Sequence, residues 1–311
     1  MQKILVHIDS QHDPGALLLK AQYLARQFNS KIELFSCCYN RSIAQGMMFD
    51  RDKKEHAEHA FVRQQEAQLE QLAQPLLKSG TQVSWDVCWD RHTSEAVVRK
   101  VLRFEPDLLL QAVAKHPLGL GHMLFAPVDW QIARKCPVPV MFVKARPWGD
   151  LLRMAVCVDP LHETDQSALL DQRLLKTASA LAEQGFAELD IVHCFNALPH
   201  EAIFDEHMVL DYQNLQENVQ QQHRQALIKL LAGFDRQVDD PEVHLLQGET
   251  DQTIAEFADR QQTDILIMGV IARSVLDRIL LGSTMERVVD QVHCDVLVIK
   301  HPSFKCPVSE S

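Results

Sequence analysis

The chain has 311 residues, a length that suggests about two domains, and its apolar fraction of 46% is enough for substantial cores. Its net charge of -11 argues against nucleic acid and against an anionic membrane surface, because phosphate binding is driven by clustered lysine and arginine. No run approaches the roughly 20 apolar residues of a membrane span. The opening MQKILVHIDS has no signal-peptide pattern, and eight cysteines without close CxxC pairing read as reduced thiols of a cytoplasmic protein.

Short apolar runs alternate with amphipathic stretches along the whole chain, the pattern of βαβ units and a parallel sheet. In the first half, strands are predicted near 3–8, 31–38, 82–88, 107–112 and 138–143, with a long polar helix across 50–78. The stretch ARPWGD (145–150), with Pro147 and Gly149 as breakers, reads as a linker. In the second half, strands are predicted near 153–158, 188–194, 242–246, 264–268 and 295–300. Helices are predicted near 165–184, 205–232, 251–261 and 284–292.

The second half repeats the first. KILVHID (3–9) returns as RMAVCVD (153–159), PDLLLQA (106–112) as TDILIMG (263–269), and CPVPVMFVK (136–144) as CDVLVIK (294–300). Asp9 to Asp159 is 150 positions and Asp107 to Asp264 is 157, so one unit recurs with small insertions. The fold class that follows is α/β: two tandem doubly wound domains, 1–146 and 151–311, each a five-stranded parallel sheet of order 3-2-1-4-5 flanked by helices. Runs such as ILIM, apolar throughout, suit sheets covered on both faces. The apolar fifth strands, VPVMFV (138–143) and DVLVIK (295–300), would be edges that invite pairing. An intramolecular pseudo-dimer is therefore expected, with a homodimer as a further option.

In such a sheet ligands bind outside the carboxyl ends of the strands, where strand order reverses. Asp159 and Met268-Gly269 would meet there, and GVIARSVLDRILLGST (269–284) leaves from that point. Gly269 and Gly282 would allow close backbone approach, while Ser283 and Thr284 supply hydroxyls at a helix start, where unpaired amides and the macrodipole favour phosphate. A serine-capped strand-loop-helix connection accounts for the same residues without a ligand. No Gly-Lys pair exists in the chain, so this is not a Walker A loop.

This wording resembles the universal stress proteins, whose nucleotide-binding members carry Gly-x2-Gly-x9-Gly-(Ser/Thr). Gly269, Ala272, Gly282 and Ser283 occupy that spacing, with alanine at the second glycine. FAPVDWQIARKCPVPV (125–140) is similar to the tandem, two-domain E-type subfamily. The resemblance implies a stress-response protein that binds an adenine nucleotide, ATP, in the second domain, with Mg2+ able to accompany it. It places Asp159 and Cys194 on the adenosine part, Met268 and Gly269 along base and ribose, and Gly282, Ser283 and Thr284 on phosphates. Ala272 stands in the same loop.

The first half departs further: Ala112 and Lys115 replace the two glycines, and FAP (125–127) replaces GST. Pro127 has no amide proton and Phe125 is bulky, which removes the phosphate nest. GLGHML (119–124) lacks the third glycine of a dinucleotide fingerprint and reads as a loop.

Other features carry less. His56 and His59 lie one helical turn apart, half of a zinc site, but four converging ligands cannot be counted and a solvated helix face is preferred. Cys136, Cys294, His7 and His193 read as core or pocket lining, and Met47, Met48 and Met208 as residues that could cover a cavity. No Gly-x-Ser-x-Gly elbow frames a nucleophile, so a binding role is expected over catalysis, with at most slow ATP hydrolysis. The rival reading is a carrier or sensor of an apolar or mixed small molecule with a vestigial nucleotide site.

Overall fold

The computed structural model describes residues 1–9, 12–45, 51–113, 128–161, 165–185, 187–196, 209–270, 273–275, 278–280 and 283–309. The chain divides into two compact units: Met1–Pro147 with Lys305–Ser311, and Trp148–Phe304.

In the first unit the strands are β1 (Lys3–His7), β2 (Lys31–Cys38), β3 (Val83–Trp89), β4 (Leu108–Ala112) and β5 (Val140–Val143). Their order is β3-β2-β1-β4-β5, with every pairing parallel. The helices are α1 (Gly15–Phe28), the short α2 (Arg41–Ala44), α3 (Arg51–Lys78), α4 (Thr93–Phe104) and α5 (Val128–Lys135). β4 and β5 are buried almost throughout, as a sheet flanked on both faces requires, whereas the outer strand β3 is half-buried.

The second unit contains β6 (Arg153–Cys157), α6 (Asp165–Gly185), β7 (Glu188–Phe195), α7 (Val209–Leu231), β8 (Val243–Gln247), α8 (Thr250–Arg260) and β9 (Ile265–Val270). A hairpin of β10 (Arg273–Val275) and β11 (Arg278–Leu280) follows, then α9 (Ser283–Gln291) and β12 (Asp295–Lys300). The sheet order is β8-β7-β6-β9-β12, again parallel at every pairing, so each unit has the 3-2-1-4-5 arrangement that the alternating pattern predicts.

One aspartate sets the start of the first strand in both units. Asp107 Oδ2 accepts the Gln2 and Lys3 amides at 2.5 and 3.0 Å. Asp264 Oδ2 accepts the Arg153 amide at 3.0 Å and its Oδ1 accepts that of Gly149 at 3.2 Å. Partial burial would raise the Asp107 carboxyl, but the two amides outweigh it and hold the group below its ordinary value. The repeated Pro-Asp and Thr-Asp words are thus anchors for the amino end of the sheet, opposite the candidate site.

Candidate functional site

The register of the second unit brings the strand ends to one level. Cys157 pairs with Val192, Val156 with Ile267, and Cys194 with Leu246. Strand order reverses between β6 and β9, so the crevice lies where Val158 and Asp159 leave the sheet beside Met268 and Gly269. Asp159 is exposed, and its amide donates to Oδ1 of the buried Asp171 at 3.2 Å. Cys194 is half-buried with Sγ 3.7 Å from Gly248 O; burial raises its thiol pKa, opposed by hydroxyls of Thr253 and Thr250.

Met268 and Gly269 both have packing roles at the end of β9. Met268 is only 7% exposed and belongs to the core. A Cβ on Gly269 would meet Leu170 Cδ2 at 2.7 Å and Leu174 Cδ1 at 2.9 Å, so close approach of α6 requires glycine here. Part of the segment after β9 forms the β10–β11 hairpin. Ala272 and Gly282 lie outside the described residues, as do Met47, Met48, Met208, Lys115, Phe125, Pro127 and the GLGHML stretch.

Ser283 opens α9 and Thr284, half-exposed, follows. Met285, Val288, Val289 and Val292 are buried at helical spacing and fix this helix to the core. As at any helix start, its first amides lack intrahelical partners. Glu286 lies in the same turn, so the local charge disfavours a bare phosphate and favours one neutralised by a cation.

The sequence reading did not foresee an imidazole pair behind Asp159. His193, fully buried, places Nδ1 3.0 Å from Val158 O and Nε2 2.7 Å from His223 Nδ1. The Phe195 ring stacks on His223 with centroids 4.4 Å apart. Both His193 nitrogens are engaged, so this ring is not available as a base. His7, on the first strand of the first unit, is also core, with Nδ1 2.6 Å from Gln111 Oε1. Cys136 and Cys294 are buried, whereas His56 and His59 are exposed on α3. Among the described residues no group of three metal-ligating side chains converges.

Burial lowers the pKa of His7, against its Gln111 bond, and burial lowers that of His223. The unfolded chain, with histidines near the usual value of about 6.5, then takes up protons more readily than the folded one. This contribution to stability is complete above that value and is lost as pH falls toward the lower folded values. Urea titrations at about pH 7.5 and about pH 5.5 should show the loss in the wild type and a smaller one in His223→Gln. Equal losses would remove His223 from the explanation.

The profile of the universal stress protein family matches residues 1–144 and again residues 153–300, one copy on each sheet. The chain belongs to the universal stress protein family. It is 29% identical over 309 residues to universal stress protein E of Photorhabdus laumondii, covering 99% of this chain and 97% of that protein. It is also 29% identical over 308 residues to universal stress protein E of Escherichia coli strain K12, covering 99% and 96%. Among solved structures, a Pseudomonas aeruginosa protein described as functionally unknown aligns with a TM-score of 0.70 at 25% identity, over 96% of this chain and 92% of that one. The doubled profile and the doubled sheet have one cause, a family unit present twice. No helix among the described residues is long and apolar enough to cross a membrane.

Proposed function

We propose that this universal stress protein acts in a cytoplasmic stress response by binding ATP at the carboxyl edge of its second unit, as a regulatory ligand. The observation that carries the reading is the exposed Asp159 at the β6–β9 switch point, from which the chain continues through the motif segment to the start of α9. Asp159 would hold the adenosine hydroxyls and the Ser283 end of α9 the phosphates, with Cys194 beside the base. ATP would supply two things here, its own occupancy and phosphate oxygens for Mg2+. The protein offers no three-ligand cage among its described residues, so the cation would travel with the nucleotide. Engagement of both His193 nitrogens supports binding over rapid turnover.

Equilibrium dialysis with labelled ATP and Mg2+ tests this. Saturation near one nucleotide per chain is expected, since the first half carries FAP where the second carries GST. Saturation near two would sink the asymmetry. A second reading, a carrier of an apolar or mixed small molecule, draws on a cavity of about 870 Å³ between α6 and α7. It is lined by Pro160, Leu161, Leu215 and Leu230 together with several glutamines. Native mass spectrometry of freshly purified protein distinguishes the two, because a nucleotide and a lipid-like ligand differ in mass.

A further inference from the structure

The carboxyl edge of the first unit holds a pair of thiols that nucleotide binding does not use. Cys37 on β2 and Cys88 on β3 are direct Cα partners in the parallel register. Such partners face the same side of a sheet, while Cys38, the next residue along, turns to the other. Neighbouring strands lie about 4.7–4.9 Å apart, inside the range of roughly 4.4–6.8 Å spanned by the Cα atoms of bonded cysteines. Both residues are half-buried.

Their surroundings give the two sulfurs different roles. The hydrogen bond between the two thiols is the largest influence on Cys37 and draws its pKa below the ordinary thiol value. Burial opposes that shift, and a bond from Thr93, the first residue of α4, assists it. The same Cys37 bond, with burial added, pushes Cys88 up. In its thiol form Cys37 is 3.4 Å from Asp90 O. Cys37 is therefore the attacking sulfur and Cys88 the one that completes the reaction.

We propose that Cys37 and Cys88 are a redox modification site, closing to a reversible disulfide when the protein meets a low-molecular-weight disulfide. The Cys37 thiolate attacks one sulfur of the small disulfide, so a mixed disulfide forms and one small thiolate leaves. Cys88 then attacks the Cys37 sulfur, its proton passing to the second departing thiolate. Two protein thiols are oxidised and one small disulfide becomes two thiols. The second unit provides an internal comparison. Cys194 occupies the place equivalent to Cys37 and likewise approaches a carbonyl two residues beyond its partner strand position, but that partner is Leu246. No cysteine therefore stands opposite Cys194 on the paired strand.

The test incubates the reduced full-length protein with oxidised glutathione, then alkylates, digests and maps it. The expected result is a peptide pair cross-linked through Cys37 and Cys88, a loss of two of the eight thiols, and recovery of both with dithiothreitol. Cys88→Ser should hold one glutathione on Cys37, and Cys37→Ser should leave Cys88 unmodified over the same time. The wild-type map needs neither variant to fold. A stable glutathione on Cys37 in the wild type with Cys88 still free would overturn the proposal. So would oxidation of Cys194 while the Cys37–Cys88 pair stays reduced. ATP dialysis is read separately, so either idea can fail alone.

Discussion

Replacing Gly269 by valine is expected to destabilise the second unit by roughly 2–3 kcal/mol, which lowers its melting temperature by roughly 5–10 °C. The Gly269 backbone lies against Leu170 and Leu174 of α6, which are 5% and 1% exposed. A single added carbon would already meet their methyl groups at 2.7 and 2.9 Å, and valine adds two more. The leucines cannot move aside without disturbing other buried neighbours, because interiors are close-packed. Valine favours strands, and loss of glycine reduces the freedom of the unfolded chain, but these gains of at most about 1 kcal/mol are smaller than the overlap. Gly185→Ala serves as the control: nothing lies within 4 Å of its added carbon, and its φ is not positive. That change should be neutral or stabilising by about 0.4–1 kcal/mol. Calorimetry on both variants decides. If Gly269→Val keeps wild-type stability yet loses ATP binding, this glycine serves the ligand and the packing account is wrong.

Gly269 also marks where sequence stops being sufficient. A glycine after an apolar strand reads equally as room for a ligand or room for a helix, and only the position of α6 separates the two. The strands were legible for a plain reason. Runs such as 31–38 and 295–300 are buried almost throughout on both alternating faces because helices cover both faces, and the observed spans match those expected. Long helices were equally readable: 165–184 is observed as Asp165–Gly185. The β10–β11 hairpin was not, since two three-residue segments of mixed polarity, RSV and RIL, are too short to show a period. His193 could be placed in a strand, but its partner His223 stands on α7, and periodicity does not say which helix face meets which ring. Cys37 and Cys88 likewise become a pair only when the register of β2 on β3 is known.

Restoring the missing glycine, Ala272→Gly, is expected to tighten ATP binding by roughly tenfold. Alanine in the left-handed region costs about 1–2 kcal/mol, and each 1.4 kcal/mol corresponds to a factor of about ten in affinity. If the position instead needs close approach to a phosphate, removing the methyl group relieves a steric penalty and changes affinity in the same direction. The close-approach route leaves stability nearly unchanged in the nucleotide-free protein, whereas relief of left-handed strain already present there would also raise the melting temperature without ligand, so calorimetric titration is the measurement that reads the gain. Wild-type protein would then emerge from purification empty yet fill at millimolar ATP, because a weakened site still obeys mass action. The carrier reading predicts otherwise: with Gly269 committed to α6 and Met268 to the core, further nucleotide contacts would be missing, and one glycine would recover nothing. ATP binding that stays undetectable in Ala272→Gly at millimolar nucleotide would end the case for a nucleotide and leave the α6–α7 cavity as the site to pursue.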